Sequence, residues 1–237
     1  MRTAHIVFTS LVVVTVSFAF DEARAQSEKS AIPASATRRE ADLTNSRVYI
    51  KVLSSTRLGH DHGVAGQLES GWVKPGDGGT LVFAMRTFVT DTPDARKYVG
   101  LTAPIKAADQ KKSSSNMVGP EVLDVKRYPR ATFEIKTFDA AEGQTTGAPG
   151  VYDLAGTFTL HGVSRPLNLK ARLEATTDPS VSRLRGSFSI LQSQFGITPY
   201  SALGGLVGVE DKLDIHGEFV FRTPEVQAAS SAPKVAR

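Results

Sequence analysis

The chain has 237 residues, and 41% of them are apolar, enough for a sizeable core in one or two domains. Formal net charge is +4 with a pI near 9.3. No Lys/Arg run exceeds two residues, so the mild basicity gives no nucleic-acid footprint. Cysteine is absent, which excludes disulfides, thiolate chemistry and Cys-ligated metal.

Arg2 and His5 precede an apolar run, Ile6 to Phe20, and Ala23-Arg24-Ala25 has the small-x-small form of a cleavage site. The run is shorter than the roughly 20 residues that span a bilayer. Residues 1–25 therefore read as a secretory signal peptide cut after Ala25, which makes the mature protein periplasmic or secreted. Residues 26–44 are polar and without period, a flexible leader, and residues 223–237 are a similar disordered tail. The folded domain is expected over 45–222.

Strand one is expected at Val48–Leu53, ended by Gly59-His60-Asp61-His62-Gly63. Strand two is Val64–Val73, with Val64, Gly66, Leu68, Ser70 and Trp72 on one side. Lys74 to Gly79 is rich in turn formers and makes strands two and three a hairpin. Strand three, Thr80–Val89, sets Leu81, Phe83 and Met85 against Val82, Ala84 and Arg86. The long connection that follows is expected to hold short helical segments at Pro93–Tyr98 and Ala107–Met117 and to cover one end of the sheet.

Tyr128-Pro129 forces the chain out of any helical path. Strand four, Ala131–Phe138, then alternates, with Phe133 and Ile135 on its apolar face. Strand five, Val151–His161, carries Tyr152, Leu154, Gly156, Phe158 and Leu160 on one face. Strand six is Leu167–Thr176, with Leu167, Leu169, Ala171 and Leu173 on one face. Strand seven is Arg183–Leu191, with Leu184, Gly186, Phe188 and Ile190. Strand eight is Lys212–Phe221, with Leu213, Ile215, Gly217, Phe219 and Phe221. Short amphipathic strands at regular spacing argue an all-β antiparallel meander closed as a barrel or sandwich, and closure removes the sheet edges. An eight-stranded barrel is filled by side chains or holds one small ligand. Gly156, Gly186 and Gly217 on the apolar faces fit either tight packing and curvature or space left for a ligand.

Three blocks carry a family resemblance. Glu121 to Ile135 (EVLDVKRYPRATFEI), Leu154 to Leu169 (LAGTFTLHGVSRPLNL) and Ser193 to Ile215 (SQFGITPYSALGGLVGVEDKLDI) resemble, in order and spacing, the YceI-like, polyisoprenoid-binding family of exported bacterial proteins. The resemblance covers about Ser46 to Phe221 and implies an extended eight-stranded antiparallel, lipocalin-like barrel whose apolar interior accommodates a polyisoprenoid or isoprenoid-quinone chain. It implies no catalytic residue and no cofactor. The chain departs from the family in two places. Ser114-Ser115-Asn116-Met117 stands where the family often has an Arg-Asp pair, and the early histidine region reads His60-Asp61-His62.

With the better-patterned faces turned inward, the lumen candidates are Leu81, Phe83, Met85, Phe133, Ile135, Tyr152, Leu154, Phe158, Phe188, Leu213, Phe219 and Phe221. At most half of them are expected to touch ligand, the rest packing on one another. The expected partner is a polyisoprenoid or other long-chain amphiphilic lipid, with no nucleic acid, and the sequence sets no oligomeric state. The loop Ile197–Gly208 is apolar and Gly-rich, and reads equally as a lid, a lip in transient membrane contact or a plain surface loop. His60 and His62 point the same way on an extended segment and supply two imidazole ligands. A third would have to come from Asp61, Asp91, His161 or a distant carboxylate, none at a recognisable spacing, so no metal is assigned and the pair remains a weak candidate beside a plain hydrogen-bonding loop. His161 is expected to make a turn hydrogen bond, and His216 to lie on the exterior. No serine sits in a G-x-S-x-G elbow, and no acid–base set is assembled, so the chain reads as a binding protein or, alternatively, as a stress-protection or interaction module with a filled core.

Overall fold

The computed structural model describes residues 37–224. The expected signal peptide and most of the expected leader and tail lie outside the described residues. Among the described residues there are twelve strands: β1 Arg39–Ala41, β2 Arg47–Ser54, β3 His62–Gly66, β4 Leu68–Lys74, β5 Gly78–Ala84, β6 Val89–Thr90, β7 Arg130–Ala140, β8 Gly150–Leu160, β9 Val163–Ala175, β10 Val181–Leu191, β11 Ser201–Ala202 and β12 Val207–Arg222. Two helices, α1 Pro93–Tyr98 and α2 Ala107–Val118, fill the connection between β6 and β7. Pro93 opens α1, and the Thr92 side chain caps it by accepting from Ala95 N–H.

The strands close into an eight-position antiparallel barrel. Three positions are each shared by two segments. β1 and β2 both pair with β12, β4 pairs with β1 and β5, and β3 pairs with β2 and β6. From β5 the ring continues through β7, β8, β9 and β10 to β12, each hydrogen-bonded to the next. β11 is a short hairpin partner of β12 outside the ring. The expected eight-stranded barrel is thus the observed fold.

The differences from the expected elements have local causes. Expected strand two is two strands, broken at Gln67, whose N–H donates to Thr87 Oγ1 and whose carbonyl accepts from Ala84 N–H. Within β4 the register against β5 also shifts at Glu69: Leu68 faces Phe83 but Ser70 faces Val82. One extra residue inverts every later side chain. Val73 is therefore fully buried, and Trp72 is turned outward under the Arg38 guanidinium. The same kind of shift between Ile135 and Thr137 brings Phe138 inward. Expected strand three stops at Ala84, where a single turn, Met85–Thr87, separates β5 from β6. Expected strand eight begins five residues early because β11 gives its first residues a partner.

The folded domain also begins before residue 45. Arg39–Ala41 is a strand, too short to show a period, held by partners on both sides. The Arg39 guanidinium is buried and donates to Ser182 Oγ at 3.0 Å and to the Gly147 carbonyl at 3.1 Å.

Candidate functional site

Strand alternation turns one face of each strand into the barrel, and packing then divides the interior into two halves. At the end formed by the β4–β5, β7–β8 and β9–β10 turns, Val73, Phe138, Tyr152, Leu173 and Phe221 are fully buried. Phe138 and Tyr152 meet edge to face with centroids 4.9 Å apart, and Tyr152 Oη donates to the Ala148 carbonyl at 2.8 Å. This end is a solid plug. Toward the opposite end the interior holds a cavity of about 430 Å³, within the size range of small-molecule sites.

Nine of the twelve lumen candidates line that cavity: Leu81, Phe83 and Met85 from the β5 region, Phe133 from β7, Leu154 and Phe158 from β8, Phe188 from β10, and Leu213 and Phe219 from β12. Ile135, Tyr152 and Phe221 do not; they face inward but belong to the plug or its boundary. Alternation decides inside from outside but says nothing of height along the barrel axis. Val48, Ile50 and Val52 of β2 and Leu169 of β9 also line the cavity. Their period-two pattern carries the same signal as that of β5, β7 and β8. Gly186 and Gly217 pair across β10 and β12 and border the cavity. Gly156 instead serves packing, because a Cβ there would lie 2.0 Å from the Glu134 carbonyl oxygen.

The mouth is built from three pieces, and one side of it is polar. Helix α2 lines it with Asp109, Lys112, Ser113 and Asn116, the i, i+3, i+4, i+7 stripe of one helical face. Thr90, itself buried, straps the helix down: Thr90 and Ser114 hydroxyls lie 3.0 Å apart, and Gln110 Nε2 donates to the Thr90 carbonyl at 3.1 Å. The second piece is the 197–208 segment. Ile197 is buried and anchors it, while Asn116 Nδ2 donates to Tyr200 Oη at 3.0 Å. Its tip exposes Leu203 and Leu206. The third piece is the β2–β3 loop, which exposes Leu58 and sends Gly59 and His60 to the cavity edge.

His60 and His62 stand at this mouth with ring centroids 4.4 Å apart. Behind them lies Asp91, buried, whose carboxylate accepts from Arg96 Nη1 at 2.7 Å and from Gly63 N–H at 3.2 Å and lies 2.6 Å from His62 Nδ1. Burial alone would raise the Asp91 pKa, but the hydrogen bonds from His62 and Arg96 outweigh it and hold the carboxyl below its ordinary value. Partial shielding from water and the adjacent His62 ring push the His60 pKa down. Gly63 is required where α1 crosses β3, since a Cβ would sit 2.9 Å from the Ala95 carbonyl. An acid–arginine pair therefore exists at the mouth, but on Asp91 and Arg96 and not at 114–117. His161 sits at the β8–β9 turn with Nδ1 3.3 Å from the Phe195 carbonyl, and His216 lies outside the barrel beside Tyr98.

A closed antiparallel barrel, plugged at one end and opening through a polar rim onto an apolar lumen, defines the lipocalin-like class of binding barrels. The sequence matches the YceI-like domain over residues 12–221, nearly the whole chain, and the protein belongs to that family of binding proteins. Among solved structures, the fold is similar to a polyisoprenoid-binding domain from Saccharophagus degradans implicated in plant cell wall breakdown, with a TM-score of 0.57 at 14% identity, covering 78% of this chain and 98% of that one. It is also similar to Burkholderia cenocepacia BcnA, with a TM-score of 0.50 at 17% identity, covering 76% of this chain and 98% of the other. No curated protein sequence matches the chain.

Proposed function

We propose that the protein is an exported carrier that holds a polyisoprenoid or isoprenoid-quinone-like chain in the barrel lumen and is not an enzyme. The observation that carries this reading is the cavity of about 430 Å³, apolar along its walls, with its polar residues gathered on the α2 and His60–His62 sides of the mouth. A filled-core stress-protection or interaction module has no use for such a space. Each methylene moved from water into the lumen contributes roughly 0.8 kcal/mol, so a few prenyl units outweigh the cost of ordering the chain. The polar rim of Asp109, Lys112, Ser113 and Asn116 favours a head group that stays at the mouth. The cargo named for the Saccharophagus domain adds support of the same kind.

Export follows from reading residues 1–25 as a cleaved signal peptide, and N-terminal sequencing of the mature protein tests it by finding Gln26 first. Leu58, Leu203 and Leu206, exposed around the opening with Arg57 and Lys112 nearby, form a lip suited to transient contact with an anionic membrane during loading. The direct test of the carrier reading is Phe158→Asp. Phe158 lies at the centre of the lumen aromatics, its ring 5.8 Å from Phe188 and 5.6 Å from Phe195. The variant should lose binding of a long-chain prenyl quinone while the far-UV spectrum stays that of a β-barrel. Unchanged binding in the folded variant would remove the lumen as the binding site.

A further inference from the structure

The His60–His62–Asp91 cluster has a division of labour that an ordinary loop hydrogen bond does not need. Asp91 adopts a left-handed backbone, φ +56°, which a non-glycine residue keeps only where the surroundings impose it. Its side chain is fully shielded from water, and its two oxygens are used differently. Oδ1 is held by Arg96 Nη1 and by Gly63 N–H. Arg96 is itself fixed by a second bond, from Nη1 to the Asp61 carbonyl at 3.1 Å. Among the described residues, Oδ2 has only His62 Nδ1 against it. One ligand atom each from His60, His62 and Asp91 lie within 4.8 Å of one another, and both histidines border the cavity.

We propose that His60, His62 and Asp91 bind one divalent first-row transition-metal ion, of the Zn2+ type, at the mouth of the lumen. Two imidazole nitrogens and one carboxylate oxygen are the donor set of three-ligand zinc sites that keep a further position open. Binding draws the ion between His62 Nδ1 and Asp91 Oδ2, in place of the hydrogen bond that joins them. Arg96 and Gly63 remain on Oδ1 and orient the carboxylate from behind, as outer-shell partners of metal ligands do. Two nitrogen donors and a single carboxylate, part of whose charge is already offset by Arg96, disfavour Ca2+ and Mg2+, which require oxygen-rich cages. The open position faces the cavity, where it accepts an oxygen of a bound head group. The site itself stands whatever the lumen carries.

The test uses untagged mature protein stripped with chelator, titrated with Zn2+ by calorimetry and with Co2+ by visible absorption. One equivalent of each metal should bind, Co2+ showing ligand-field bands, with no heat from Mg2+. His60→Ala should weaken Zn2+ binding at least about tenfold, as should His62→Ala. His60 is exposed, so its removal leaves the fold intact. His216→Ala, on the outer face, should leave the affinity unchanged. Absence of a stoichiometric site, or an affinity unaffected by His60→Ala, would overturn the proposal.

Discussion

At the plugged end of the barrel, Val73, Phe138, Tyr152, Leu173 and Phe221 interlock with no surface left to water, and even the charged Arg39 is drawn in and hydrogen-bonded. At the mouth the same strands end in residues that do not fill the space between them. A stripe of α2, the 197–208 segment and the β2–β3 loop surround the gap without closing it. One ring of strands thus contains two kinds of interior. The plug is a core in the ordinary sense, where each side chain stabilises the fold by touching others. The upper lumen leaves apolar surface uncovered, which stabilises nothing until a ligand covers it. Stability and binding should therefore separate along the barrel axis, and substitutions at the two ends should fail in different assays.

The largest effect should be at the plug. Phe138→Ala removes a fully buried ring that packs on Tyr152 and should cost about 3–5 kcal/mol in urea unfolding. If Phe138→Ala left stability unchanged, the plug would not be the stabilising end. Gly156→Ala, which drives a Cβ toward the Glu134 carbonyl, should cost roughly 1–3 kcal/mol in the same assay. Phe188→Ala, half-buried at the cavity wall, should cost only about 1 kcal/mol, yet weaken prenyl-quinone binding more than any plug variant that remains folded. An equal loss of stability at Phe138 and Phe188 would erase the distinction. The smallest effect on stability, within about 0.5 kcal/mol, belongs to Leu203→Asp at the exposed lip. Its signature should be slower transfer of lipid from anionic vesicles, measured by fluorescence, with equilibrium affinity preserved.

Much of this division was legible in the sequence, and the illegible part has a physical pattern. The alternation of Leu154, Phe158 and Leu160, or of Leu213, Ile215 and Phe219, gave the inward faces directly, because a strand repeats every two residues. The short helical segment expected at Pro93–Tyr98 is α1 at its observed bounds. Alternation gave the wrong side for Trp72 because Glu69 adds a residue to one strand only, and nothing local in LESGW announces it. That Tyr152, Ile135 and Phe221 lie away from the cavity is not legible in the sequence, because depth along the axis is set by strand stagger, a long-range property. The strand at Arg39–Ala41 leaves no mark in the sequence because its stability comes from two partners, β4 and β12, that lie far away in sequence. Asp91 was one of several possible third partners for the histidine pair. Only folding, through β3 and β6, brings it beside His62 while leaving Asp61 to other bonds.

Mass spectrometry of an organic extract, taken from mature protein isolated without detergent, tests the account most directly. A single isoprenoid species near one equivalent per chain is the expected result, and it would identify the cargo. A folded protein whose extract is empty, and which then fails to take up a long-chain prenyl quinone or polyprenol offered to it, would contradict the carrier function.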